Sequence, residues 1–482
     1  MTKGMLRFVE LDRQMPPKRS AEERSKDHRE IYEGYSEDKA RDQASRCSQC
    51  GIPFCQVHCP LSNNIPDWLM LTAQDRLEEA YHLSQSTNNF PEICGRICPQ
   101  DRLCEGSCVV EQSGHGTVTI GSVEKFLTDT AWEKGWVKPV VPARKLPESV
   151  GIIGAGPAGL AAAEQLRSKG YQVHIYDRYD RAGGLLIYGI PGFKLEKSVV
   201  ERRTALIADS GVQFHLGIDI GKDVSFAELK QRHAAILIAT GVYQARDLTI
   251  PGSDKNGIVP ALYFLTEANR QDLGLSKADH MEQSLSAADK DVVVIGGGDT
   301  AMDCVRTSIR QGAKSVTCLY RRDRENMPGS DREVANAEEE GVTFRWLSRP
   351  DAFTGTDAVE GVMVSAMRLG LPDASGRRTP EVIPDSRETL KADLVIKALG
   401  FMPEDLPRLF DQPGLEVTRR GTLQTDEQTR MTALDGVFAA GDIYRGASLV
   451  VWAIKDARDA ADQIDLWIAA QREQGVNIEA AE

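Results

Sequence analysis

No run of about eighteen consecutive apolar residues occurs in this 482-residue chain, which excludes a membrane-spanning helix. The first twenty residues, Met1 to Ser20, lack the apolar centre of a secretion signal; they are charged and proline-containing, so the expected location is the cytoplasm. Positive charge is also in deficit, with 58 Lys and Arg against 71 Asp and Glu and a net charge of −13. Such a surface repels phosphates and argues against a nucleic-acid partner. Internal repeats of solenoid period and low-complexity tracts are missing too. Outside one short segment there is little cysteine: only Cys304 and Cys318, read as buried thiols because nothing pairs them.

Inside that segment cysteine is abundant. Eight of the ten cysteines form two groups of four: Cys47, Cys50, Cys55 and Cys59, followed by Pro60, and then Cys94, Cys98, Cys104 and Cys108. Gaps of two to five residues let one loop or helical turn aim several sulfurs at a metal centre, and iron–sulfur clusters take mainly cysteine ligands. In ferredoxins with two clusters the last Cys of a run often serves the other cluster, so each group need not hold its own. Structural zinc is the alternative. It commonly uses a repeated C-x2-C pair, and only Cys47 and Cys50 have that spacing. Disulfides would need an oxidising compartment, for which no address is present. The reading is a soluble electron carrier, with a zinc-bound scaffold as its rival.

The length predicts about three domains. Residues 1 to about 25 read as a polar arm lying on a surface, and Asp27 to about Trp136 as helices interrupted by the cysteine loops. Residues 137–142 read as an extended, proline-containing linker. Beyond it a strand, glycine loop and helix occur twice. The first copy runs from Val150 through Gly154, Gly156, Pro157, Ala158 and Gly159, with a second strand ending at Asp177. Its glycines permit a tight turn and close approach to a pyrophosphate at a helix start, and Asp177 stands where a ribose-binding acid belongs. The second copy carries Gly296, Gly298, Asp299, Thr300 and Ala301, with Ala301 in the third glycine position. Its following strand ends in Arg321 and Arg322 instead of an acid. Guanidinium groups there suit the 2′-phosphate of NADPH over the free hydroxyl of NADH.

Two such units in one chain resemble the flavoprotein reductases built from two dinucleotide-binding domains. Ile238-Ala239-Thr240-Gly241 and Lys397-Ala398-Leu399-Gly400 look like the strand-end motifs joining those domains, and Gly436 to Asp442 looks like their late flavin motif. The resemblance implies FAD at the first unit, with Gly241, Gly441, Asp442, Ser448 and Leu449 contributing. It also implies a helix beginning near Arg445 whose N-terminus faces the flavin. The expected fold class is α/β: two nested Rossmann-like domains for FAD and NADPH after a helical iron–sulfur domain. The expected boundaries are 1–145 for the arm and cluster domain, 146–255 and 401–482 for the two parts of the FAD domain, and 256–400 for the inserted NADPH domain.

The whole chain resembles the small (beta) subunits of bacterial NADPH-dependent glutamate synthases. That likeness rests on Pro16-Pro17-Lys18-Arg19, Arg46 through Cys55, Cys59-Pro60-Leu61 with Ile65-Pro66-Asp67-Trp68, and Gly183-Gly184-Leu185 through Pro191. It adds Gly184 and Leu185 to the cofactor residues. It implies electron input from NADPH, through FAD and two 4Fe–4S clusters, to a large FMN-containing subunit that makes L-glutamate from L-glutamine and 2-oxoglutarate. A similar cysteine pattern in dihydropyrimidine dehydrogenase implies crossed ligation: Cys47, Cys50, Cys55 and Cys108 on one cluster, and Cys59, Cys98 and Cys104 on the other. For the fourth ligand of the second cluster Cys94 is expected, in preference to Glu124, which stands where that relative has a glutamine. No catalytic acid or base is nominated, because hydride transfer to a flavin needs none. Another flavoprotein subunit, such as that of a ferredoxin:NADP oxidoreductase, is the runner-up.

Overall fold

The computed structural model describes residues 4–275, 285–374, 378–473 and 475; the outermost ends of the expected first and last segments, 1–3 and 476–482, lie outside these. No helix among the described residues is long and apolar enough to cross a membrane.

The cysteine-bearing region is helical. Glu37–Ser45 starts at Ser36, whose hydroxyl accepts from the Lys39 amide, and Ile65–Ala73 and Pro91–Ile97 carry a proline in the first turn, where no amide partner is lost. Leu77–Thr87 and Ile120–Glu133 complete the group. Trp68, Leu69, Tyr81, Val123 and Leu127 form its core with Cys47 and Cys108. The fully buried Arg46 donates to the carbonyls of Leu11, His115, Gly116 and Thr117, tying three loops together. Part of the N-terminal arm departs from expectation: Arg24, in the short helix Ala21–Arg24, has no exposed surface, because acidic side chains of a distant helix surround it.

The segment after Val137 runs without regular structure, Val140 donating its amide to Ser210 Oγ, until the strand Ser149–Ile153 opens the first parallel sheet. The lateral order is Val437–Ala439, Ala235–Ile238, Ser149–Ile153, Gln172–Asp177 and Gln213–Leu216, all parallel. Its outermost strand comes from near the C-terminus. The Ala-rich helix Pro157–Lys169 and the long helix Val450–Glu473 cover one face, the latter burying Val451, Ile454, Ala457, Ala461, Ile464 and Ile468 at helical spacing. The second parallel sheet lies wholly between these parts: Ile258–Pro260, Leu394–Lys397, Asp291–Ile295, Ser315–Leu319 and Thr343–Arg345. The two crossings between sheets pair with each other as the antiparallel ribbon Gln244–Ala245 with Phe401–Met402. The fold is therefore α/β with one dinucleotide unit nested in another.

One element was not foreseen. Ser348–Thr354, Gly361–Pro372, Arg378–Val382 and Glu388–Lys391 form an antiparallel sheet, and Phe353, Val362 and Val364 pack it onto Val293, Ile295 and Val395 of the second parallel sheet.

Candidate functional site

The first glycine turn is tight because the backbone allows nothing larger. Gly154 has φ +109°, and a Cβ there would lie 2.4 Å from the Ala239 carbonyl; at Gly159 it would lie 1.9 Å from the Gly154 carbonyl. Gly156 is different: its added Cβ would meet only the Cα of Gly184, at 4.0 Å. Gly156 and Gly184 pack backbone against backbone, a Cβ on Gly184 lying 2.8 Å from Gly156 Cα, so Gly156 presents bare backbone to the space at the start of Pro157–Lys169, whose first amides have no side-chain cap. Asp177 holds the turn: Oδ2 accepts from the Ala155 amide at 2.6 Å and Oδ1 from the Tyr179 amide at 2.8 Å. Burial pushes its carboxyl above the usual range.

The late motif closes the same space from the other side. Gly441 has φ +75°, and Asp442 Oδ1 accepts from both the amide and the hydroxyl of Ser448 at 3.1 and 2.7 Å. Burial pushes Asp442 up to about 6. The long helix begins at Val450, five residues beyond the expected Arg445, because Gly446 at φ +85° breaks the chain after the short turn Asp442–Arg445. Arg445 instead forms a forked ion pair with the buried Asp456 at 2.8 and 2.5 Å. Ser448, Leu449 and Val450 at this helix start line a cleft of about 1880 Å³, part of it open to solvent. Gly154, Gly156, Pro157, Ala158, Asp177, Leu185 and Gly241 line it too, while Gly159 and Gly441 support its walls. Thr240 Oγ1 lines the cleft buried and without a hydrogen-bond partner.

From the second unit, Asp299 and Thr300 reach the cleft, whereas Gly296, Gly298, Ala301, Arg321 and Arg322 do not. Gly296 has φ +148° and sits against the Ala398 carbonyl; Gly298 caps Asp299–Arg310 with open space around it. The loop before Asp331–Glu339 lies over this turn, Gly329 donating to the Gly297 carbonyl and Ser330 to Asp299 Oδ1. Arg321 is exposed beyond the strand end, and Arg322 donates from Nη2 to the Arg378 carbonyl at 3.2 Å.

The cysteines fall into two crossed sets. Cys47, Cys50, Cys55 and Cys108 line one small cavity with Phe54, Leu69 and Ile120. Burial pushes Cys47 up to about 11 and Cys55 to about 12, with neighbouring thiols adding to the shift. The second set is Cys59, Cys94, Cys98 and Cys104, which interact electrostatically with one another and with Glu124. It forms where helices Pro91–Ile97 and Ile120–Glu133 cross at Gly95 and Gly121. A Cβ on Gly95 would lie 2.9 Å from the Gly121 carbonyl, so only small residues allow the approach. Glu124 is buried, receives only 3.5 Å contacts from Ser84 Oγ and Asn88 Nδ2, and is pushed by burial up to about 8. Cys94 Sγ sits 3.7 Å from Asn88 Oδ1. Among the described residues no three His, Cys, Asp or Glu side chains converge as ligands of a single metal ion. Cys98 also lines the large cleft, so the second thiol set abuts the dinucleotide space.

Sequence reasoning passed over a side chamber that shares Gly154, Asp177, Thr240 and Tyr243 with the cleft. There the Arg178 guanidinium lies 5.5 and 5.1 Å from the ring centres of Tyr179 and Tyr243 and pairs with Glu404 at 2.9 Å. These residues come from separate loops with no motif to announce them.

Two family models match the chain: the dihydropyrimidine dehydrogenase domain II with its 4Fe–4S cluster over residues 24–136, and the pyridine nucleotide-disulphide oxidoreductases over 148–473. The chain is 65% identical over 476 residues to a glutamate synthase (NADPH) small chain of Azospirillum brasilense, covering 99% of each. To that of Escherichia coli it is 43% identical, covering 97% of this chain and 100% of the relative. Among solved structures, Mycobacterium tuberculosis FprA in complex with NADPH superposes with a TM-score of 0.59 at 22% identity, covering 69% of this chain and 87% of that one, which shows the shared fold.

Proposed function

The chain belongs to the family of NADPH-dependent glutamate synthase small chains, and from that premise we propose how its residues divide the work. It is the electron-input chain: it oxidises NADPH and delivers the electrons, by way of flavin and iron–sulfur groups, to a large FMN-containing chain. That partner makes L-glutamate from L-glutamine and 2-oxoglutarate. A bound flavin supplies the change from two-electron hydride chemistry to single electrons, which clusters then carry.

The cleft fits FAD on two observations: the open space beside the bare backbone of Gly156, which a side chain would fill, and the orphaned Thr240 hydroxyl of a residue lining the cleft. Gly154, Gly156 and the amides after Pro157 would hold the pyrophosphate, Asp442 the ribityl hydroxyls, and the walls of the side chamber the adenosine end. Ser448, Leu449 and the start of Val450–Glu473 line the cleft, and their amides and helix dipole would favour negative charge on a flavin held there. Arg321 and Arg322 would bind the NADPH 2′-phosphate. No side chain is needed as acid or base; these residues bind, orient and exclude water.

The thiols fit two 4Fe–4S clusters: four sulfurs around an apolar cavity, and a second set that also holds a buried, weakly satisfied carboxylate. The first set is Cys47, Cys50, Cys55 and Cys108. For the second we propose Cys59, Cys98 and Cys104 with Glu124 in place of the expected Cys94, whose thiol pairs with that of Cys98. A carboxylate with only two long hydrogen bonds and no cation is costly to bury unless something coordinates it. The same reading divides the chain at 145/146, 255/256 and 400/401 and places it in the cytoplasm.

One observation carries the proposal: Cys98 shares a wall with the glycine turn and Asp442, bringing thiols and dinucleotide space into contact. The test is reconstitution of the chain with its large partner. Iron, flavin and NADPH-driven glutamate formation are expected together; a zinc-bearing or flavin-free chain would refute it.

A further inference from the structure

The face above the first thiol set differs from the rest of the surface. From Cys47 to Pro66 the chain has no Asp, Glu, Lys or Arg, although 27% of all residues are charged. Here Ile52, Phe54 and Val57 are 67%, 44% and 63% exposed, projecting from the loop and short helix that carry Cys50 and Cys55. Leu6, 53% exposed, joins them, its amide bonded to the Cys47 carbonyl at 3.2 Å. Phe54 also lines the thiol cavity, so this apolar surface is the outer wall of the first set.

We infer that this apolar face is the seat of the large glutamate synthase chain, held as a permanent apolar interface; this rests on the function proposed above. Two arguments select that occupant. Transient electron-carrier encounters are small and steered by complementary charge, and the loop and helix that carry Cys50 and Cys55 have no Asp, Glu, Lys or Arg to steer with, the exposed His58 being their one side chain able to carry positive charge. Permanent interfaces, in contrast, have apolar cores depleted of charged residues. The second thiol set faces the internal cleft through Cys98, which leaves the first set as the one with an apolar surface outward.

The test uses the full cofactor-loaded chain and its large partner. Replacing Ile52 and Val57 together with Glu is expected to weaken assembly at least a hundredfold in size-exclusion and surface-binding assays. Iron, flavin and NADPH oxidation with ferricyanide should stay at wild-type levels. Leu466→Glu, at an equally exposed leucine on the far helix Val450–Glu473, should assemble normally. If the charged pair loses iron, the neutral pair Ile52→Ser with Val57→Ser decides, with tenfold weaker assembly and intact iron expected. Wild-type affinity in the iron-retaining double variant, or equal loss with Leu466→Glu, would overturn the assignment. So would retained assembly with lost reduction of an acidic ferredoxin, which would make the face a carrier site. A wild-type chain that binds its partner yet holds no iron would refute the function reading alone.

Discussion

Arg24 and Glu340 form an ion pair, Nε to Oε1 3.0 Å, with neither side chain exposed, although they belong to the N-terminal arm and to the end of a helix in the inserted unit. Glu340 also receives Arg306 at 2.9 Å and Arg310 at 2.7 Å, and Arg24 reaches Glu339 at 2.5 Å. Against burial, which pushes it up, hydrogen bonds from Arg310 and Arg306 hold Glu340 below the usual carboxylate range. The arm is thereby fastened to the nicotinamide-type unit. Three guanidiniums share one carboxylate, so the two partners are not equivalent. Glu340→Ala is expected to cost about 3–5 kcal/mol, whereas Arg24→Ala leaves Glu340 with two partners and should cost about 1–2 kcal/mol. Urea unfolding of both variants checks the order; an equal or reversed cost would refute it.

The two kinds of glycine in the first turn predict separable defects. At Gly156 a side chain has room, with φ −77° and 4.0 Å to the nearest atom, but would occupy the cleft that Gly156 lines. Gly156→Val is therefore expected to fold normally and purify with little flavin. Gly159→Val meets a backbone carbonyl at 1.9 Å and should lose stability itself. Flavin content alongside melting temperature distinguishes them.

Nucleotide choice tests the basic strand end. Changing Arg321 and Arg322 together to Ala should raise KM for NADPH at least tenfold, about 1.4 kcal/mol, with little change for NADH. Steady-state kinetics with a flavin-reactive dye measures this without the partner; equal effects on both nucleotides would refute the assignment.

The fourth ligand of the second thiol set is decided by iron analysis. Glu124→Ala is expected to lose the iron of that set while keeping the other, and Cys94→Ser to keep both. The opposite pattern would exchange their roles.

Acid sensitivity should come from three histidines at the edge of the first sheet. His233 is pushed down to about 3 by burial and by His174, His215 and Arg232; burial also lowers His174 and His215. His233 Nδ1 meets Ser149 Oγ at 2.9 Å and Nε2 meets the Tyr176 hydroxyl at 3.0 Å. A histidine neutral when folded binds more protons when unfolded, so stability is full above about pH 6.5 and falls below it. His233 alone contributes up to about 1.4 kcal/mol per pH unit. Melting temperatures from pH 8 to 5 should show this decline, and His233→Gln should flatten it.

The sequence by itself determined what contiguous residues can specify. Each strand, glycine turn and helix start is a local unit whose turn needs φ values or close approaches that only glycine permits, so both nucleotide units were legible. The thiol spacings were equally local. Tertiary structure decided what depends on distant segments meeting. Glu124 reaches the second thiol set only because two helices cross at Gly95 and Gly121. Tyr243, Arg178 and Glu404 build their chamber from three loops, and Arg24 is buried only because Glu339 and Glu340 arrive from the inserted unit. The start of the last helix was misplaced because Gly446 and the Asp442–Ser448 bonds break it before Val450. These contacts are set by side-chain packing and charge pairing across hundreds of residues, which no local pattern encodes.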